Sequence, residues 1–372
     1  MIVILDNIQY KSTMGHCNNH EIDEYVESKE HYTYQTKLLI SMFNTGQLPE
    51  VENIIVEPRF GYVASINYRD GGTRILYGHD PGFNSGSSEQ LAKDKGYSKF
   101  MLRKLGINCP NGDEFLLPWW AETLRQSDRH IGNAEIRTTD QADSYIQNEL
   151  GYPIYAKPVS GSQGSGVQKI FDKNSLNELF GEYNSERVKV ALVEEALDMP
   201  DYRLLIFDGE LVNAYERQPF LVTGDGSSNI NSLIDNVVAD YIDDSRDIKV
   251  DKYRKDIIRK LARHALTLQS VLHEGEKLPL LDISNLSAGG IPIDVSNDIH
   301  PHWVDIARNV TQGFNLRICG VDLACSDITS SDSDYSVIEV NATPGAKQFM
   351  ASGEVGREKL EALFCQFFRT QQ

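Results

Sequence analysis

Lys157 is the residue of this 372-residue chain whose surroundings first suggest chemistry. A short apolar run, Tyr152 to Ala156, delivers it, and the loop Ser160-Gly161-Ser162-Gln163-Gly164-Ser165-Gly166 follows almost at once. Such a loop can lay backbone N–H groups and hydroxyls against phosphate oxygens, and a lysine is a compact point charge for the same target. Taken alone, the stretch reads equally well as a surface β-turn beside a chance lysine. Late in the chain come Asp322, then Glu339 and Asn341, at the ends of apolar runs. Glu339 and Asn341 are two apart, so a strand projects both from one face. A few oxygen donors of this kind suit Mg²⁺ that also holds substrate phosphates, although Asp and Asn are equally ordinary turn residues. Between these sites the apolar run Val188–Val193 ends in Glu194-Glu195, with Asp201 and Arg203 following. Carboxylates there could take an adenine amino group and ribose hydroxyls. The glycine loop is followed by Val167, which excludes the P-loop pattern, and no GxGxxG follows the first strand.

The elements that must carry these residues alternate in type. Ile2–Leu5 and Ile54–Val56 read as strands, Tyr34–Phe43 as a helix, and Tyr62–Asn67 with Thr73–Tyr77 as a hairpin around Asp70-Gly71-Gly72. One helix is expected over Glu89–Leu105, with Ser88 as its cap and Gly106 as its stop, and another over 140–150. A helix over Asp172–Tyr183 precedes the strand Val188–Val193. Leu204–Phe207 and Leu211–Arg217 flank Asp208-Gly209-Glu210 as a second hairpin. Helices over Ile230–Val238, Val304–Gly313 and Gly356–Phe368, and strands over Leu316–Ala324 and Tyr335–Asn341, complete an α+β pattern with a mostly antiparallel sheet in the second half.

Composition narrows the function. Apolar content is 40% and mean hydropathy −0.38, the profile of an ordinary globular protein. A net charge of −18, from 54 acidic and 36 basic residues, argues against nucleic acid as a partner. One basic run, Arg246, Lys249, Lys252, Arg254, Lys255, Arg259, Lys260 and Arg263, is interleaved with aspartates and reads as a solvated helix face, with a landing place for an acidic substrate as the alternative. No apolar run reaches the length of a membrane span, and Met1–Asp6 lacks the basic start of a signal peptide. Five scattered cysteines without CxxC spacing fit reduced thiols. The expectation is a cytoplasmic protein without a membrane partner. His300 and His302 lack a third ligand and read as structural, and Trp119-Trp120 as packing residues.

Blocks that agree in order make the sequence similar to the ATP-grasp superfamily, above all to the ATP-grasp portion of cyanophycin synthetases. The resemblance is densest in Asn285-Leu286-Ser287-Ala288-Gly289-Gly290, Asp294, Ile299-His300-Pro301, Gly320-Val321-Asp322 and Ile338-Glu339-Val340-Asn341-Ala342-Thr343-Pro344-Gly345, and Asp201-Tyr202-Arg203, Arg217 and Gly224-Asp225-Gly226 also match. Bifunctional glutathione synthetases and ribosomal-protein glutamate ligases share the pattern. The resemblance implies an ATP-grasp fold, two α/β subdomains clasping ATP after a small N-terminal α/β domain. Its boundaries would be 1–91 for the N-terminal domain and 92–372 for the ATP-grasp domain, split into 92–193 with the lid and 194–372 with the metal site.

Carried over by position, Lys99 and Lys157 resemble the phosphate-binding lysines, and Ser160, Gly161, Ser162, Gln163, Gly164, Ser165 and Gly166 the mobile lid. Glu194, Glu195 and Leu197 resemble the adenine contacts, and Asp201 the ribose contact. Asp322, Glu339 and Asn341 resemble the ligands of two Mg²⁺ ions, with Mn²⁺ an alternative metal. Arg203, Arg217, Asn285, Gly289 and Gly290 resemble residues at the transferred phosphate and the incoming amine. The implied reaction joins an amino-acid or peptide carboxylate to an amine through an acyl-phosphate, releasing ADP and phosphate. A glutathione-synthetase-like or protein-tail ligase is the nearest alternative, and a non-ligating ATP sensor or scaffold the alternative of another class. Relatives of this kind also form homo-oligomers. Two departures stand out. The second ligase module of cyanophycin synthetases does not follow here, and Gly320 stands where D-alanine-type ligases place an arginine.

Overall fold

The structure is a computed structural model that describes residues 2–4, 31–127, 137–161, 164–243, 248–345 and 353–370. Ser162, Gln163, Arg246 and Cys17 lie outside the described residues. Two compact units are present, 1–85 with 343–372, and 86–342. The division expected was 1–91 and 92–372. The last thirty residues, by contrast, cluster with the N-terminal unit rather than with the segment they follow.

The first unit is a four-stranded sheet in the order β1 (Ile2–Ile4), β2 (Val51–Val56), β3 (Val63–Tyr68), β4 (Thr73–Tyr77). The strand β1 runs parallel to β2, and the remaining pairs are antiparallel. The helix Tyr34–Asn44 starts where the Thr33 hydroxyl accepts from Thr36 N, a standard cap. The helix Gly353–Arg369 belongs to this unit by side chains as well as by chain tracing. The Tyr68 hydroxyl donates to Phe368 O at 2.9 Å, and the buried Arg74 donates to Thr370 O at 2.7 Å.

The second unit holds two larger sheets. Strands β5 (Gly112–Leu116), β6 (Ile154–Pro158), β7 (Gln168–Ile170) and β8 (Val190–Glu195) form an antiparallel sheet in the order β5-β8-β6-β7. One face packs on Leu176, Leu179 and Tyr183 of the helix Lys173–Ser185, with Phe115, Ile154, Ala156, Ala191 and Val193 in the same core. The other sheet uses β9 (Asp201–Phe207), β10 (Glu210–Gln218), β13 (Ile291–Asp294), β14 (Ile318–Cys325) and β15 (Tyr335–Asn341), in the order β13-β10-β9-β14-β15. The fully buried β14 reads as an apolar run with one exception. Cys319, Val321, Leu323 and Cys325 face the core with Trp303 and Val310 of the helix Pro301–Gly313. By strand alternation Gly320, Asp322 and Ala324 take the opposite face. A third core gathers around the short pair β11 (Leu221–Thr223) and β12 (Lys277–Pro279) with the helices Ile230–Asp243 and Arg254–Arg263.

Three local readings are revised. The single helix expected over Glu89–Leu105 is two, Gly86–Lys93 and Lys95–Lys104. Asp94 breaks it: its backbone is extended, and its carboxylate accepts from Gly96 N at 3.1 Å and Tyr97 N at 3.0 Å. An N-cap of this kind competes with helix continuation. The basic segment is helical only over 250–263, because Ala265 turns with a φ of +56°. The strand expected to end at Val193 continues through Glu195. His300 caps a helix, its Nδ1 accepting from His302 N at 3.2 Å, and no cluster of three metal-ligating His, Cys, Asp or Glu residues occurs among the described residues.

Candidate functional site

Register carries the site. Across the larger sheet, Tyr215 pairs with Arg203, Arg203 with Asp322, and Asp322 with Glu339, so one row crosses four strands. Two residues along each strand, on the same face, lie Arg217, Asp201 and Asn341. Across the smaller sheet a second row runs Glu194, Tyr155, Lys169, with Lys157 two residues from Tyr155. Residues from both rows line one cavity of about 390 Å³, together with Lys95, Gly161, Gly164 and Asn285.

On the smaller sheet, Glu194 is buried and paired to two buried lysines. Lys99 Nζ lies 2.7 Å from Oε2, and Lys157 Nζ contacts Oε1. Lys99 also donates to Pro110 O at 2.6 Å. Burial alone would raise the Glu194 pKa, but Lys157 and Lys99 outweigh it and hold the carboxyl below its ordinary value. Lys99 shows the converse: burial pushes its pKa down against the pull of Glu194. Glu195 accepts from Asn111 N at 2.8 Å, and Glu195 and Leu197 both line the cavity.

On the larger sheet, the carboxylate of Asp322 is held by both arginines. Arg203 binds both of its oxygens, and Arg217 Nη2 lies 2.8 Å from Oδ2 and 2.7 Å from Asp201 Oδ1. Burial would raise the Asp322 pKa, and Arg203 with Arg217 reverses this. For Asp201, burial wins and raises it. Glu339 meets Lys95 Nζ at 3.2 Å. Asn341 Nδ2 is buried without an acceptor. The two ends of an amide are assigned from their partners, and turning this one over presents its oxygen beside Glu339. Three oxygen donors on adjacent strands, one of them an amide lacking a partner, fit a hard divalent cation.

The remaining expected residues fall in two groups. Gly161, Gly164 and Ser165 line the cavity, Ser160 bridges to Asp94, and Gly166 O accepts from the Tyr183 hydroxyl. Gly164 has a φ of +67°, and a Cβ there would stand 2.1 Å from Asn285 Nδ2, so only glycine lets the loop approach that side chain. Gly289 and Gly290 are buried in a tight turn against Phe220 and Gln218 O, and do not line the cavity as Asn285 does. Sequence reasoning missed Lys95, Tyr155 and Lys260 as wall residues. Lys260 pairs with Asp282 Oδ1 at 3.0 Å and donates to Leu281 O at 2.7 Å, while Arg263 pairs with the same aspartate. Tyr155 donates to Asp282 O at 2.6 Å. The Asp94 cap was a legible signal for Lys95, and the alternative reading of the basic run as a landing place for an acidic substrate included Lys260; nothing in the sequence pointed to Tyr155.

Two sheets present facing rows of cations and carboxylates to one cavity, and likeness in sequence and fold to the following relatives makes the chain a member of the ATP-grasp superfamily. Its fold matches a bifunctional glutathione synthetase from Pasteurella multocida, with a TM-score of 0.54 and 19% identity over 91% of this chain and 44% of that one. In sequence it is similar to the cyanophycin synthetase of Crocosphaera subtropica, 32% identical over 277 residues, which are 71% of this chain and 29% of the relative. The glutathione biosynthesis bifunctional protein GshAB of Clostridium perfringens is 29% identical over 273 residues, 68% of this chain and 31% of that protein. The chain thus spans less than a third of the length of these curated relatives. No family model matches it. Among the described residues no helix is long and apolar enough to cross a membrane.

Proposed function

We propose that the chain is an ATP-dependent ligase that joins a carboxylate to an amine. The observation that carries this reading is the convergence of Lys157, Arg217 and Lys95 with Asp322 and Glu339 around one cavity, with Lys99 behind it on Glu194 and Asn341 two residues from Glu339 on the same strand. Every stage of such a reaction places negative charge on oxygen, so fixed cations and N–H donors are the groups it needs. Adenine would lie against the end of β8, where Glu194 and the backbone of Glu195 and Leu197 are in reach, with Asp201 near the ribose. Lys157 and Lys99 would exchange Glu194 for phosphate oxygens. Two Mg²⁺ ions, or Mn²⁺, would be held by Asp322, Glu339 and Asn341, and would supply charge neutralisation at the triphosphate.

In the first step a carboxylate oxygen bonds to the γ-phosphorus, and ADP leaves with the electron pair of the broken P–O bond. In the second the amine nitrogen bonds to the acyl carbon, phosphate leaves, and the amine gives up a proton. Arg217, at the cavity wall, and Arg203 beside it would neutralise the transferred phosphoryl group. The Gly161–Gly166 loop would exclude water that would otherwise hydrolyse the acyl-phosphate. The carboxylate is that of an amino acid or peptide, by likeness to the named relatives.

The test is product analysis with ATP, Mg²⁺ and pools of amino acids and peptides. ADP and phosphate should appear only when both a carboxylate and an amine are present. AMP and pyrophosphate in their place would overturn the mechanism. Lys157→Ala should abolish turnover with the fold intact, at a stability cost of about 1–3 kcal/mol for the buried partner it leaves, and normal turnover in that variant would remove Lys157 from the site.

A further inference from the structure

The helix Lys95–Lys104 carries two lysines one turn apart, and they reach different carboxylates. Lys99 goes to Glu194 on the smaller sheet, as described. Lys95 goes to Glu339 on the larger one at 3.2 Å, and the same Nζ donates to Gly161 O of the glycine loop at 3.1 Å. Its side chain is 11% exposed and that of Glu339 29%. The backbone repeats the link, since Lys95 N donates to Val159 O at 3.3 Å and Asp94 bridges to Ser160.

Local rules do not favour a lysine here. Lys95 is the first residue of its helix, where the backbone dipole disfavours a cation. Lys99, four residues on, adds like-charge repulsion on the same face. Breaking both rules at one position points to a partner outside the helix, and Glu339 with Gly161 is that partner. Glu339 is also one of the three oxygen donors suited to a divalent cation, so the lysine and the metal compete for one carboxylate.

We propose that Lys95 is a built-in stand-in for the divalent cation: it neutralises Glu339 and tethers Gly161 until metal and nucleotide enter, then gives up both. Its flexible stem and compact charge suit such an exchange, which a planar guanidinium would resist. Freed, the ammonium is within reach of incoming phosphate. Metal entry and release of Gly161 then become one event. This rests on the reading of Glu339 as a metal carboxylate, and Lys95 is in this sense a positioning residue.

The experiment compares wild type with Lys95→Ala and Lys95→Arg, each checked by its thermal melt. Mn²⁺ binding is followed by electron paramagnetic resonance without nucleotide, and binding of a fluorescent ATP analogue with Mg²⁺ is followed separately. Lys95→Ala should bind Mn²⁺ alone about two- to fivefold more tightly, the range that a partly exposed ion pair is worth. It should bind the Mg²⁺–nucleotide complex more weakly. A lysine that merely supported the fold would weaken both. Unchanged or weaker Mn²⁺ binding overturns the proposal. Lys95→Arg should keep the tether and loosen Mn²⁺ at least as much as wild type. Limited proteolysis without ligand reads the tether alone: cleavage within 159–166 should be faster in Lys95→Ala, and equal rates would remove the tether. Because that arm needs no nucleotide, it stands apart from failure of the ligase reading, which would appear as wild type that binds no ATP analogue.

Discussion

Glu194 and Asp322 line the same cavity, both are buried, and each is held by two cations, yet they are held in different ways. Glu194 ends a strand and takes two ammoniums from separate elements, β6 and the helix Lys95–Lys104. Asp322 sits mid-strand and takes two guanidiniums from the neighbouring strands β9 and β10, with Asp201 sharing one of them. The first cluster has one carboxylate for two cations, so it is short of negative charge. The second is balanced. Ammoniums on flexible stems can trade partners, whereas forked guanidiniums set in register hold a fixed geometry. On the proposed reading the lysines turn from Glu194 to an incoming anion, while the guanidiniums hold Asp322 in register, where a cation would meet it.

The sharpest way to break this contrast is Asp322→Ala. It strands Arg203 and Arg217 in the sheet centre without their shared partner. Removing one member of a buried ion pair costs about 3–5 kcal/mol, and urea denaturation should show a loss of that size, along with lost turnover. A loss below about 1 kcal/mol would mean that the balanced cluster is not rigid, since surface pairs are worth that little.

Glu194→Gln should cost less, about 1–3 kcal/mol, because the lysines can turn toward water or toward Pro110 O. The pH dependence separates the two further. Both carboxyls lie below their ordinary values of 4.5 for Glu194 and 3.8 for Asp322. A depressed carboxyl contributes stability that is fully present above its ordinary value and is lost as pH falls through the folded one. Wild-type stability should therefore begin to fall below about pH 5, and Glu194→Gln should flatten the upper part of that fall. Lys99 has the opposite sign: its depressed pKa means burial opposes its charge, so at neutral pH it costs stability that Glu194 offsets. Glu194→Gln with Lys99→Met should regain part of the loss. No regain would show that the two are not energetically coupled.

Much of this was legible beforehand because strand period and hairpin turns are readable. The spacing of 339 and 341 puts both on one face of their strand, whereas the register that sets Asp322 opposite Glu339 belongs to the sheet. The hairpin around Asp208-Gly209 is the one expected, and its register sets Arg203 beside Tyr215 and Arg217 beside Asp201. What could not be read is pairing between elements far apart in the chain. Lys99 looked like a free phosphate ligand and is buried on Glu194. Lys260 looked like part of a solvated face, and its helix instead turns it to Asp282 while Ile257 and Leu261 go to the core. The helix break at Asp94 was available from Asp94 and Gly96, but the apolar periodicity across it was stronger than the cap signal. Glycines 289 and 290 show the reverse error of emphasis: their spacing is that of a turn pressed against Phe220, and the cavity wall is Asn285.

The smallest expected effect tests where the flexible cluster gets its position. Tyr155 lies two residues before Lys157 on the same face of β6, and its hydroxyl donates to Asp282 O, in the segment that leads to Asn285. Burial, with Asp282 and Asp201 nearby, raises its pKa, so the hydroxyl stays protonated and donating at neutral pH. Tyr155→Phe keeps the ring and removes one hydrogen bond, which should cost about 1 kcal/mol in urea denaturation. If Lys157 is set by Glu194 alone, binding of a fluorescent ATP analogue should follow wild type. If the strut to Asp282 also sets it, binding should weaken by more than the stability change accounts for, and the flexible cluster would then depend on the opposite wall of the cavity for its alignment.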